Sequence, residues 1–461
     1  MQQLLAIVVL TWKAALRFRL FLVIAALLLV AVIGLPILIK DDGTARGFTQ
    51  ILLTYTLSSI TALLGISTLW LSCGTLARDI EECQMQVLAT KPIARWQIWV
   101  GKWLGIISLN ATLLVISGLC LYGLLLWRST KLPDKEQTIL HNQVLIARSS
   151  ARPDDPTAKI NDYAARILAE RINQTQITKA DLPEVKRQII EQAKADYQLV
   201  GPGTGKPWRI NLGSAAKSLE NEPLQLRIKF NAAQKSASGT FLGLWQVGDP
   251  PKTKSVWRSE PMSLAPDTFI EIDIPPGLID PDGVLTVVFA NPNNTALLFP
   301  IEDGMEVLYR DGGFGLNFAR GLGIIFCWMA LLAAVGLASA SFLSFPVAAF
   351  LSLSILIVAL SSGTLANVVS EGTIDASSQA DKNTVAILDT VIVPVFRVAL
   401  KVINFARDFS PIDSLSTGRS ITWVELGKAF AQIVLLLGGF FAAFGIYVFN
   451  RRELATAQNQ S

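Results

Sequence analysis

Apolar residues in this chain fall into six long runs, at 20–39, 50–73, 103–127, 318–342, 345–369 and 424–449. Each reaches the roughly 20 residues a helix needs to cross a hydrocarbon core. The pattern predicts a membrane all-α domain of six spans. Ahead of the first run, Leu4, Val8, Trp12 and Leu16 recur every four residues, with Lys13, Arg17 and Arg19 among them. This predicts a helix lying in the interface. The run that follows is full length with no small-residue cleavage site, which reads as a span and not a cleavable signal. A second amphipathic helix is predicted at about 385–405, where Arg397, Lys401, Asn404 and Asp408 form a polar stripe. A seventh crossing there would carry Arg451 and Arg452 to the side opposite the other short basic loops, so the helix is placed along the outer interface.

The most informative polar stretch lies between the second and third runs, about 77–96. Ile80, Cys83 and Val87 fall on one side of a helix, and Asp79, Glu82 and Gln86 on another. Pro92 stops it, because proline disfavours helical geometry in the residue before. A new helix is predicted from Arg95. Trp96, Trp99 and Trp103 follow at i, i+3, i+7 with Lys102 beside them, the pattern of an interfacial aromatic belt with a snorkelling lysine.

The segment between the third and fourth runs is a large polar α+β insert. From 128 to 207 it is charged and helix-favouring, with Ile167, Ile172, Val185, Ile189 and Ile190 as scattered apolar positions, and predicts a small helical subdomain. From 208 to 317 the texture changes to short period-two runs at 224–230, 269–274 and 285–289. Pro275-Pro276-Gly277 and Pro281-Asp282-Gly283 punctuate them as turns, so this part predicts an antiparallel, jelly-roll-like β-sandwich. The domain plan is therefore 1–127, 128–207, 208–317 and 318–461.

Composition agrees: 51% of 461 residues are hydrophobic and 16% charged, with a mean hydropathy of +0.44. Lys13, Arg17, Arg19, Arg78, Lys91, Arg95, Lys102, Arg451 and Arg452 share one side under six spans. The positive-inside tendency makes that side the cytoplasm and puts the insert outside or in the periplasm. Basic residues cluster at membrane flanks and form no aromatic-interleaved patch, so nucleic acid is not an expected partner. The four cysteines lie in or beside apolar runs and imply no disulfide framework.

Candidate chemistry is sparse. Gly201-Pro202-Gly203-Thr204-Gly205-Lys206 fails as a phosphate loop, since Val200 stands where Gly is needed and Pro207 where Ser or Thr is needed. A turn is predicted there. The only histidine, His141, has no ligating neighbour in sequence, so no metal is expected. Asn110, inside the third run, reads as a helix–helix hydrogen bond or a pathway residue. Glu425 and Lys428 read as a polar station or as interfacial anchors. No triad, carboxylate pair or zinc motif stands out, and no enzyme active site is expected.

Together these residues resemble the type-2 permease subunits of ATP-binding-cassette (ABC) transporters, the ABC-2 exporter branch. The resemblance rests on Arg78-Asp79-Ile80-Glu81 leaving the second span, then Leu88, Pro92, Arg95-Trp96 and Gly101-Lys102, and on the closing Arg451-Arg452-Glu453-Leu454. The chain departs from the pattern where Cys83-Gln84 replaces a common Gly-Thr pair. The resemblance implies a coupling helix docking a separate cytoplasmic ATPase through Arg78, Asp79, Glu81, Glu82, Met85, Leu88, Lys91, Pro92 and Arg95. ATP and magnesium would bind that partner, and no cofactor would bind this chain. It also implies a second permease subunit, a bacterial inner-membrane location and export. Two alternatives remain: an ABC mechanotransmission subunit acting through its external domain on an envelope protein or glycan, and a membrane-anchored binding or scaffold protein.

Overall fold

The structure, a computed structural model, describes residues 2–17, 19–38, 43–82, 93–140, 144–174, 182–234, 236, 238–253, 255–361, 382–407 and 409–452. Along the chain it forms α1 (Gln2–Arg17), α2 (Arg19–Leu38), α3 (Ala45–Glu81) and α4 (Arg95–Ser129). Next come β1 (Ile146–Ala151), α5 (Thr157–Gln174), α6 (Leu182–Gln198) and strands β2 (Leu199–Val200) and β3 (Gly205–Asn211). Nine further strands follow: β4 (Leu224–Ile228), β5 (Asn231–Ala232), β6 (Phe241–Val247), β7 (Trp257–Arg258), β8 (Met262–Leu264), β9 (Ile270–Ile274), β10 (Val284–Ala290), β11 (Leu297–Leu298) and β12 (Met305–Gly313). The chain closes with α7 (Phe314–Ala340), α8 (Phe345–Leu360), α9 (Lys382–Arg407) and α10 (Trp423–Arg451). It divides into two compact units, 1–147 with 312–461, and 148–311.

The first unit is helical. Among the described residues α3, α4, α7 and α10 are long and apolar enough to cross a membrane, while the apolar stretches Val23–Leu38 and Phe345–Leu360 are shorter. This is a membrane protein with a helical domain and a separate β-containing insert. These helices are longer than the apolar runs suggest: α3 has 37 residues and α4 has 35. Some hydroxyls inside α3 bond back to their own helix, Thr49 to the Ala45 carbonyl and Thr68 to that of Leu64, whereas those of Thr56 and Thr61 are buried without a partner among the described residues.

Helix α1 forms as predicted, but its buried stripe is Ile7, Thr11 and Ala15. Ile7 and Thr11 pack on Gly101 and Gly105 of α4, where a β-carbon would lie 2.8 Å from Ile7 Cγ2 and 2.6 Å from Thr11 Cβ. Trp12 Nε1 donates to Ser108 Oγ on the same face. Gly105→Val is therefore expected to undock α1 and destabilise by about 1–3 kcal/mol, an overpacking effect. Protease accessibility of a site engineered near residue 10 would report it; unchanged protection would refute this packing account.

Helix α9 covers the predicted amphipathic segment, and its Arg397, Lys401 and Asn404 are exposed. Asp408 lies outside the described residues.

The second unit is built on antiparallel pairing. One sheet has strand order β1-β12-β4-β9, and another β3-β10-β6-β7 with β8 also on β6. Leu226 of β4 sits opposite Val307 on one side and Ile272 on the other, and all three are buried. Val287 of β10 faces Trp208, and Phe289 faces Trp245. These inward residues of both sheets share one core, as a sandwich does. Phe299 is its aromatic hub, with ring centroids 5.1 Å from Phe289 and 5.2 Å from Trp208. The predicted turns appear with positive φ at Gly277 and Gly283, which glycine adopts without a steric penalty.

The subdivision of the insert differs from expectation. β1 lies within the part read as helical, and the boundary drawn at 207/208 falls inside β3. Helices α5 and α6 pack through Ile160, Ala164, Ile189 and Ala193, with Ile167, Val185 and Ile190 at the margin. The chain passes into this unit through β1 and leaves through β12, which are neighbours in one sheet.

Candidate functional site

The residues singled out around 77–96 fall into two groups. Met85, Leu88, Lys91 and Pro92 lie outside the described residues, as does His141. Arg78, Asp79, Glu81, Glu82 and Arg95 frame that segment. The first three belong to the last turns of α3, which runs unbroken to Glu81, Glu82 is its C-cap, and Arg95 opens α4.

Around this frame, charged side chains tie together the ends of five helices. Glu81 Oε1 accepts from the Phe345 backbone N–H at 2.9 Å, satisfying one of the orphan donors at the start of α8. A carboxylate there also suits the positive end of the helix dipole. Arg78 stacks over the Phe345 ring, 4.7 Å from its centroid. Arg95 Nη1 donates to the carbonyls of Phe449, Asn450 and Arg452 at 3.2, 2.9 and 2.9 Å, closing the C-terminus of α10. Arg452 Nη1 in turn donates to the Ser341 carbonyl at the end of α7, 3.1 Å away. Between α3 and α4, Lys102 Nζ meets Asp79 Oδ2 at 2.5 Å and donates to the Thr75 carbonyl at 2.8 Å.

This corrects the reading of Trp96, Trp99, Trp103 and Lys102 as an interfacial belt. Trp96 is 47% exposed, but Trp99 is 1% exposed inside the core, and Trp103 Nε1 donates to the Ala330 carbonyl. Lys102 is buried in an ion pair and does not snorkel. Trp99 faces protein because it packs in a cluster with Ile7 of α1, Leu76 of α3 and Ala334 of α7.

Asn110 is 1% exposed, and its Nδ2 donates to Thr68 Oγ1 at 2.8 Å, an α3–α4 hydrogen bond. Glu425 sits in the first turn of α10, whose N-cap Thr422 accepts from the Glu425 N–H; Lys428 lies one turn on and is exposed. No hydrogen bond or ion pair joins these two to Asn110 among the described residues. The segment 201–206 is a turn leading into β3, as expected, with Gly203 at φ +66°.

Sequence reasoning missed a further bracket. Asn317 Oδ1 accepts from the Ile421 N–H at 2.7 Å while its Nδ2 donates to the Arg419 carbonyl at 2.7 Å, and Arg320 donates to the Ile421 carbonyl. It fixes the turn before α10 on α7. The signal was present, since Asn317 and Arg320 stand at the start of an apolar run. In the insert, the buried Glu306 pairs with Arg227 at 3.2 Å, and Glu271 with Arg148 at 2.9 Å.

No protein-family model, curated protein or solved structure matches this chain.

Proposed function

We propose that this chain is the permease subunit of an ABC exporter, working as a dimer with a separate cytoplasmic ATPase that binds ATP and magnesium. The carrying observation is the set of latches around 83–92. A push on that segment acts on α3 and α4, and through Glu81, Arg95 and Arg452 on α8, α10 and α7 as one body. A rigid assembly of this kind is what a lever needs if ATPase closure is to switch the helices between two states. In this reading α2 and α8 complete six spans. The 16 described residues of α8 give about 24 Å of about 30 Å. The latched end faces the cytoplasm, and the insert faces the periplasm of a bacterial inner membrane.

A second reading is mechanotransmission, in which motion is delivered to an external domain and nothing crosses. It is favoured by one observation: the two strands through which the chain passes into and out of the insert are sheet neighbours.

Because Glu81 caps α8, its reversal would also disturb that helix, so the docking test uses Glu82 and Lys91. E82K and K91E are expected to lower the amount of ATPase that co-purifies with the tagged chain severalfold, with the permease still folded in the membrane. Failure of any ATPase to co-purify with the unaltered chain would reject both readings. For topology, with native cysteines replaced, S236C should react with an impermeant thiol reagent in intact spheroplasts and T90C only after permeabilisation. The reverse pattern would overturn the orientation.

A further inference from the structure

The insert contains a cavity of about 350 Å³, within the range of small-ligand sites. Its floor is Trp208 and Phe299, 7% and 4% exposed. One wall is Lys206, whose ammonium donates to the Tyr197 carbonyl and lies over the Tyr197 ring at 4.3 Å and the Trp208 ring at 5.4 Å. Among the described residues no carboxylate lies within ion-pair distance of it. The rim carries Asp154, Asp155 and Glu302, and also Arg152, whose guanidinium is paired with Glu306 at 3.6 Å. Asp155 is already engaged, accepting from the N–H and hydroxyl of Thr157 at the start of α5. Those two bonds hold its carboxyl below the ordinary value, so it stays ionised. Burial, then the Asp154 charge, push the Tyr197 phenol up, so it remains a neutral O–H at neutral pH.

One half-buried cation without a carboxylate among the described residues, an aromatic floor and a largely acidic rim set the ligand's chemistry. The Lys206 ammonium is desolvated by its surroundings, which lowers its pKa to about 8. An incoming anion would restore the lost stabilisation. A dianion would meet three rim carboxylates, whereas a single negative charge matches Lys206, the lining cation that no carboxylate pairs among the described residues, Arg152 being paired with Glu306. The rim carboxylates can only accept hydrogen bonds.

We propose that this cavity binds a small monocarboxylate carrying hydroxyl or ammonium donors at its far end. The carboxylate sits on Lys206, a ring or apolar body lies on Trp208 and Phe299, and the donors face Asp154 and Glu302. Sugar acids and amino acids share this chemistry. The inference is independent of the exporter reading.

The test is site-resolved acylation by acetic anhydride, read by mass spectrometry on the full chain in detergent, with D-glucuronate and L-phenylalanine as probes. Lys206 should titrate near pH 8, and at pH 9 should react about tenfold or more faster than a model-peptide lysine. Either probe at millimolar concentration should protect Lys206 and leave Lys194 unchanged; the stronger protector identifies the sugar-acid or amino-acid source. Calorimetric affinity should fall about tenfold per pH unit above 8, since only the ammonium form binds. K206M should abolish binding, and E302Q should weaken it in a chain whose Lys206 still titrates near 8, which keeps the test decisive if K206M fails to fold. Absence of protection and of binding heat with both probes, equal protection by inorganic phosphate, or binding retained in a folded K206M each overturn the proposal.

Discussion

Replacing Lys102 with alanine should destabilise the helical unit by about 3–5 kcal/mol, the usual cost of removing one partner from a buried ion pair. The side chains of Lys102 and Asp79 are 8% and 25% exposed. Alanine would strip the Asp79 carboxylate of its ammonium and the Thr75 carbonyl of its donor. Water reaches the Asp79 side of the pair, but the Lys102 site itself is 6% exposed. Loss of monodisperse protein on heating, followed with a fluorescent fusion in detergent, is the measurement. The double variant K102M/D79L removes both charges and should recover much of the loss, giving an interaction energy from the cycle. A K102A chain that melts with the unaltered protein would show that the pair contributes nothing to stability.

Gly336→Leu should be comparably damaging, at or above the upper end of the about 1–3 kcal/mol typical of overpacking. A β-carbon at Gly336 would overlap Ser72 Oγ on α3, and would sit 2.9 Å from Ser72 Cβ and 3.3 Å from the Leu69 carbonyl. The hydroxyl has little freedom to move, since it donates to that carbonyl at 2.9 Å. Cys73 Sγ also donates to the Gly336 carbonyl, so the backbones of α3 and α7 are held close at this level. Small residues permit such approaches between membrane helices. G336A should cost less, and S72A should relieve part of the cost because it removes the overlapping oxygen. Equal melting of G336L and the unaltered chain would mean that the helices part here freely.

Much of the architecture is legible in local pattern. Alternation at 224–230, 269–274 and 285–289 corresponds to β4, β9 and β10, because side chains on a strand alternate faces and a half-buried strand must alternate in polarity. The turn glycines Gly277 and Gly283 were legible for a similarly local reason. Apolar runs located the long helices but not their ends: α3 reaches Glu81, eight residues past its apolar run (81 − 73 = 8). Polar residues continue a helix when neighbouring helices satisfy them, and hydropathy does not record neighbours.

The candidate site shows where local reading stops. Glu81 and Arg95 were legible as charges beside a membrane span, but their partners lie 264 and more than 350 residues away, at Phe345 and at Phe449 to Arg452. Trp96, Trp99 and Trp103 look alike by spacing. Yet one is exposed, one is core, and one bonds a carbonyl of α7. Lys206 was set aside with a failed phosphate loop, and its surroundings are supplied by Tyr197, Trp208, Phe299 and the rim acids across several elements.

The sequence alone therefore determined that this chain is a membrane protein with long apolar helices, an amphipathic N-terminal helix and a polar insert rich in alternating strands. Those features follow from periodicity and length, which each segment expresses by itself. Only the tertiary structure decided that Lys102 pairs with Asp79, that Glu81 and Arg95 close the ends of other helices, and that Lys206 lines a cavity with no carboxylate partner among the described residues. The physical reason is that a charge removed from water takes its partner from whichever backbone or side chain packing brings within about 3 Å, and packing is a property of the whole fold.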